Sequence, residues 1–168
     1  MSQAEPLNLL FLCTGNSARS ILGEALANHP VIGRGRFRAY SAGSQPKGEP
    51  NPYALALLRE QGFAVDGLRS KSWDEFAAPG APKLDFVFTV CDSAASETCP
   101  YWPGQPVTAH WGLPDPAALS DEDPEAKRKA FFDTFMALRR RIELLANLPL
   151  ASLSGLALKE RLAEIGRQ

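Results

Sequence analysis

Apolar residues along this chain fall in short continuous runs separated by amphipathic stretches. Leu9-Leu-Phe-Leu12 is such a run, with Leu7 two residues before it, and reads as a buried strand. From Ser17 the spacing changes. Ile21, Leu22, Ala25 and Leu26 share one helical face, which predicts a helix over about Ser17 to Asn28. Arg36 to Gly43 alternates and ends in a turn, as a second strand does, and Gly43 to Pro52, rich in Gly, Pro and Ser, is a loop. Ala54, Leu55, Leu57 and Leu58 predict a helix over Pro52 to Gln61, with a proline in its first turn and Gly62 after it. Phe63 to Asp66 is either a short strand or an extended link. Ser72-Trp-Asp-Glu75 has capping-box spacing and should open a short helix. Leu84 to Cys91 and Pro106 to Trp111 are the remaining strands. Glu122 to Ala146 predicts a long helix with Phe131, Phe135, Leu138, Ile142 and Leu145 on one stripe. After a break at Pro149, Leu158, Leu162 and Ile165 mark a weakly amphipathic helix, most simply packed on the outside of the domain or against a partner. Strands alternating with helices imply an α/β fold with a parallel sheet and right-handed crossovers. The expected division is one α/β domain over 1–147 and a helical extension over 148–168.

Composition narrows the function classes. The chain has 168 residues, 45% of them hydrophobic and 22% charged, as in an ordinary globular domain. A net charge of -1 offers no field for nucleic acid or an anionic membrane. No window reaches about 18 consecutive apolar residues, so no transmembrane helix is expected. The N-terminal Met-Ser-Gln-Ala-Glu-Pro has neither the basic start nor the apolar core of a signal peptide. Three cysteines are an odd number and form no disulfide framework, which suits a reducing cytoplasm where thiols do chemistry. The basic runs Lys127 to Lys129 and Arg139 to Arg141 read as the solvated face of the long helix.

The chemistry concentrates where the first strand meets the first helix. Between them lies Cys13-Thr14-Gly15-Asn16-Ser17-Ala18-Arg19-Ser20. A tight loop at a helix N-terminus converges N–H groups and partial positive charge on one point. Arg19 adds a planar fork that can hold two oxygens of a tetrahedral oxyanion. The same field should favour the thiolate of Cys13 at the floor of the loop. The stretch therefore reads as a nucleophilic sulfur facing a bound dianion.

Cys-x5-Arg-Ser between a strand and a helix resembles the phosphate loop of the low-molecular-weight tyrosine phosphatases and their arsenate-reductase relatives. The resemblance covers roughly Leu9 to Leu145. It implies a four-stranded parallel sheet in the order 2-1-3-4 with helices on both faces. The first and third strands would then be neighbours, with the site at their carboxyl ends. Neighbouring strands lie about 4.8 Å apart, and a disulfide needs Cα atoms within about 7 Å. Cys13 and Cys91, ending those two strands, would thus come close to bonding range.

Further residues match the family's pattern. In His110-Trp-Gly-Leu-Pro-Asp115-Pro116 the resemblance makes Asp115 the general acid for the departing oxygen. His110 is expected to be structural. Cys91-Asp-Ser-Ala-Ala-Ser-Glu-Thr-Cys99 resembles the redox segment of the thioredoxin-coupled arsenate reductases, one residue longer here. Eight helical residues span about 12 Å, so pairing Cys91 with Cys99 would require the segment to unwind. The implied activity is reduction of arsenate to arsenite. Cys13 attacks arsenic, Cys91 resolves the adduct, and Cys99 passes the disulfide to thioredoxin, glutaredoxin or a low-molecular-weight thiol. Electrons come from thiols, so no metal or flavin is called for. Thr14 to Ser20 would bind arsenate or phosphate, Asn16 holding the loop and Ser20 stabilising the Cys13 thiolate. Some relatives hold a potassium ion behind this loop. Asn16, Glu24 and Ser41 match its ligands, but Arg69-Ser-Lys71-Ser72 stands where the remaining acidic ligand would be, so the Lys71 ammonium is expected in place of the cation.

The rival enzyme reading is a protein tyrosine phosphatase using Cys13, Arg19 and Asp115 without a redox step. Ala117 and Ala118 follow Asp-Pro where the phosphatases place aromatic residues, and Ala18 stands where they carry a second loop cysteine. Both features, with Cys91 and Cys99, favour reduction. A non-catalytic oxyanion-binding module is the third reading, and the intact Cys13, Arg19 and Asp115 argue against it.

Overall fold

The computed structural model describes residues 5–91, 102 and 105–168. The predicted strands form at β1 (Leu7–Leu12), β2 (Phe37–Ala42), β3 (Phe86–Thr89) and β4 (Val107–His110). The helices are α1 (Arg19–Asn28), α2 (Pro52–Glu60), α3 (Pro124–Ala146) and α4 (Gly155–Gly166). All strand pairs are parallel, and the order is β2-β1-β3-β4. Leu12 lies opposite both Ala42 and Thr89, so Cys13 and Cys91 leave adjacent strands at the same sheet edge.

Alternation along the strands sorts the core into two layers. Leu9, Phe11, Phe86 and Phe88 face the helices and pack with Ile21, Leu22, Leu58, Phe131, Phe135 and Leu138. Leu10, Leu12, Ala42 and Val87 face the other way, against Phe76 of the 3₁₀ helix Trp73–Phe76 and Trp102. α4 buries Leu158, Leu162 and Ile165 in the first, larger layer.

Several helix starts follow from their caps. Asn51 accepts from the Tyr53 N–H before Pro52, and Asp123 accepts from the Ala126 N–H before Pro124. Elsewhere the structure departs from the sequence pattern. The stretch Phe63 to Asp66 forms no strand. Ser72 caps a 3₁₀ turn through the Asp74 N–H, but Glu75 turns outward to a bidentate pair with Arg69, so the reciprocal half of the capping box is replaced. The basic runs are not wholly solvated. Lys127 and Arg141 are buried, because positions 127, 134 and 141 share the inward stripe of α3 at seven-residue spacing. Among the described residues no helix is long and apolar enough to cross a membrane.

Candidate active site

β1 delivers Cys13 to the carboxyl edge of the sheet, where the chain turns into α1. Asn16 adopts a left-handed φ of 44°, which asparagine tolerates better than most side chains. The tight turn is also fixed from outside. A Cβ on Gly43 would lie 2.5 Å from the carbonyl oxygens of both Cys13 and Thr14, so only glycine fits beside the loop. The Gln45 N–H donates to the Thr14 carbonyl and the Lys47 N–H to the Gly15 carbonyl, tying the following loop to this one.

A chain of hydrogen bonds orients Cys13. The Lys71 N–H donates to Asn16 Oδ1, which turns the Asn16 amide so that Nδ2 donates to Ser20 Oγ. Ser20 Oγ also lies 2.8 Å from Cys13 Sγ. Its hydroxyl can donate to a thiolate there or accept from a thiol. The buried Cys13 thus sits against a positioned hydroxyl and beside a helix N-terminus. No side chain caps α1, and its first turn holds no acidic residue. The N–H groups of its first turn are therefore without a side-chain cap.

Arg19 leans over the same cavity. Its Nη1 donates to the Leu113 carbonyl at 2.8 Å, and its Nη2 lies 3.8 Å from Asp115 Oδ2. Its Nε is buried and has no acceptor among the described residues. Asp115 accepts from the Ala117 N–H through Oδ1, which leaves the Oδ2 side turned toward Arg19. Cys91 is buried, and its Sγ lies 3.8 Å from the Thr14 hydroxyl. Cys13, Arg19, Cys91 and Asp115 all line one cavity of about 300 Å³, together with Thr14, Gly15, Ser17 and Ala18.

Behind the loop lies a second layer. Glu24 accepts from the Ser41 hydroxyl at 2.6 Å, and the Lys71 ammonium stands 3.7 Å from the same Glu24 oxygen while donating to the Arg69 carbonyl. Burial pushes the Glu24 carboxyl above its ordinary range, only partly offset by Ser41 and Lys71. Burial likewise pushes the Lys71 ammonium down, against the pull of Glu24.

Two cavity residues had no mark in the sequence reading, Gln45 and Lys47. The Lys47 stem lies over Gly15, within 3.2 Å of where a Cβ there would be. Their signal was positional, since they belong to the loop that follows β2 at the site's edge. Cys99 lies outside the described residues. His110 Nδ1 is hydrogen-bonded to the Thr89 hydroxyl at 2.8 Å, a link between neighbouring strands.

Comparison with known proteins agrees with this geometry. The family model of the low molecular weight phosphotyrosine protein phosphatases matches residues 8–154. An arsenate reductase of Bacillus licheniformis is 36% identical over 124 residues, 74% of this chain and 83% of that protein. Arsenate reductase 1 of Staphylococcus epidermidis is 32% identical over 130 residues, 76% of this chain and 93% of that protein. The crystal structure of an arsenate reductase from Archaeoglobus fulgidus superposes with a TM-score of 0.62. That alignment covers 83% of this chain and 99% of the other at 24% identity, and it speaks for the fold. A loop that places a cysteine and an arginine around one cavity, on a sheet in this order, is thus found with the family's own sequence pattern, and the chain belongs to the low molecular weight phosphotyrosine protein phosphatase family.

Proposed function

We propose that this protein is an arsenate reductase that works through a thiol relay. The observation that carries the reading is the shared cavity: Cys91 faces the same oxyanion pocket as Cys13, Arg19 and Asp115. The relatives from Bacillus licheniformis and Staphylococcus epidermidis are both named arsenate reductases. Arsenate enters the loop Thr14 to Ser20 and is held by backbone N–H groups and the Arg19 guanidinium. The Cys13 thiolate attacks arsenic and forms a sulfur–arsenic bond. Asp115 protonates the oxygen that departs as water. The Cys91 thiolate then attacks Cys13 sulfur. The sulfur–arsenic bond breaks and its electron pair stays on arsenic, which leaves as arsenite, and a Cys13–Cys91 disulfide remains. The Thr14 hydroxyl beside Cys91 suits a donor to that attacking sulfur. Cys99 next attacks Cys91 and frees Cys13. The Cys91–Cys99 disulfide passes to an external dithiol, thioredoxin or a glutaredoxin-type thiol, in a reducing cytoplasm.

We also infer that Lys71 supplies the positive charge behind the loop. The residues present do not fit a bound cation well. Asn16 Oδ1 already accepts an N–H, Glu24 accepts the Ser41 hydroxyl, and the Lys71 ammonium faces the Glu24 carboxyl. Buffer potassium should accordingly leave arsenate turnover unchanged.

The test is arsenite production with thioredoxin and its reductase, for wild type and for Cys13→Ser, Cys91→Ser and Cys99→Ser. Loss in all three variants supports the relay as written. Loss in Cys13→Ser and Cys91→Ser alone assigns the second disulfide step to an external thiol. Loss in Cys13→Ser alone overturns the relay and favours phosphatase chemistry. That second reading has the same loop and acid behind it. Ala117 at the cavity mouth, where the family's phosphatases carry an aromatic residue, speaks against it.

A further inference from the structure

The matched family region ends at residue 154, and α4 begins one residue later. This helix could be an inert appendage. Its contacts point elsewhere. The buried Trp111 indole N–H donates to the Leu162 carbonyl of α4 at 2.9 Å. Gly166 closes the helix directly on the same residue: a Cβ there would lie 2.8 Å from Trp111 Cδ1 and 2.9 Å from the His110 carbonyl oxygen. From the other side, the buried Arg141 guanidinium donates to the Trp111 carbonyl at 2.9 Å and reaches the Gln168 carbonyl at 3.4 Å. Arg141 therefore holds α3, Trp111 and the far end of α4 together. Below, the indole stacks on Phe88, with ring centroids 4.0 Å apart.

Trp111 is the root of the loop that carries the acid. Four residues later comes Asp115, and between them the Leu113 N–H donates to the Val90 carbonyl while the Leu113 carbonyl accepts from Arg19. The loop thus has two moorings, Leu113 at the site and Trp111 at its base. The base mooring is completed by residues outside the family match.

We infer that α4 is a positioning element for the acid loop, clamping Trp111 so that Asp115 stays over the oxyanion cavity. The inference rests on the proposed arsenate reductase reading for its activity readout but not for its structural one. A small displacement of an acid costs much more in turnover than in binding, since a misplacement of about 1 Å can lower a rate about 10²-fold.

The experiment uses the full chain with Trp111→Phe, which keeps the ring stack and removes the indole N–H, and Gly166→Leu, which drives α4 off Trp111. Leu156→Ala, at an exposed α4 position, is the control. Amide hydrogen exchange over residues 112–118 is expected to quicken about tenfold in both variants. The arsenate kcat is expected to fall about tenfold with KM within about twofold. The iodoacetamide alkylation rate of Cys13 should not change, because its sulfur is held by Ser20 and Asn16, and Asn16 by the Lys71 N–H, none of them in the acid loop. A merely structural helix would lower thermal stability and leave both the local exchange at 112–118 and kcat unmoved, and that result overturns the inference. If Gly166→Leu does not fold, Trp111→Phe decides alone. If wild type itself makes no arsenite, the functional reading falls, and the exchange pattern still decides whether α4 holds the loop.

Discussion

The loop around Cys13 and the loop around Asp115 meet at one cavity but are held differently. From Cys13 to Ser20 the contacts that reach the sulfur are local, while Gly43, Gln45, Lys47 and the Lys71 N–H brace the turn from outside. Cys13 to Ser20 spans seven residues and Asn16 to Ser20 spans four, and the strand and helix on either side impose the turn. The Asp115 loop is held from afar. Leu113 is 94 residues from its Arg19 partner, Trp111 is 51 from Leu162, and Arg141 is 30 from Trp111. The spacing of the Cys13 loop is set once its strand and helix form, and Gly43 and Lys71 complete its shape. A site hung on long-range contacts exists only when the whole core is packed, and it is correspondingly easier to displace. The first arrangement suits a sulfur and an anion cradle that must not move. The second makes the place of Asp115 depend on the packing of the whole core.

The comparison can be broken first at the residue that belongs to both loops. Arg19→Lys keeps the charge but loses the fork and the reach to Leu113, and kcat/KM for arsenate is expected to fall about 10²- to 10³-fold. A loss under tenfold in steady-state kinetics would show that the planar donor set is not needed. Asp115→Asn should come next. It removes the proton and keeps the shape, so kcat is expected to fall about 10²-fold. Phosphate binding, read by protection of Cys13 from alkylation, should stay at the wild-type level, and weakened protection would mean that Asp115 also shapes the anion site. Ser20→Ala acts only inside the Cys13 loop. It removes the hydroxyl beside Cys13 Sγ, and the alkylation rate at neutral pH is expected to fall about three- to tenfold. An unchanged rate would show that the Ser20 hydroxyl does not set the reactivity of Cys13.

The smallest effect lies behind the loop and depends on pH. Burial holds the Glu24 carboxyl above its ordinary value of 4.5. On acidification the folded chain takes up this proton before the unfolded chain does. Glu24 therefore adds stability that is fully present below 4.5 and is lost as pH rises through its raised folded value. Glu24→Gln should remove that dependence. The difference in urea midpoint between wild type and variant is expected to shift toward wild type on going from neutral pH to below 4.5, and a pH-independent difference would refute it.

Legibility in the sequence followed the same division. Leu9 to Leu12, the Ile21-Leu22-Ala25-Leu26 spacing and the Cys13 to Ser20 interval lie close along the chain, so pattern alone located strand, helix and loop. The stripe of α3 was also legible, although its seven-residue spacing ran on through Lys127 and Arg141, which charge counting had assigned to solvent. Gln45 and Lys47 were not recognised as cavity residues, because nothing in a Gly- and Pro-rich loop says which of its side chains turn inward. Glu75 has the spacing of a cap partner, but the guanidinium of Arg69 holds it instead.

By itself the sequence determined that a thiol, a guanidinium and a bare helix N-terminus meet in one short loop, because neighbours in the chain cannot avoid one another. The resemblance implies that Cys91 and Asp115 reach the same site, and only the tertiary structure decided that Asp115 faces Arg19 and that the last helix closes on Trp111. Those meetings depend on strand order and on core packing, which sum weak contacts over the whole chain and leave no mark at any one position.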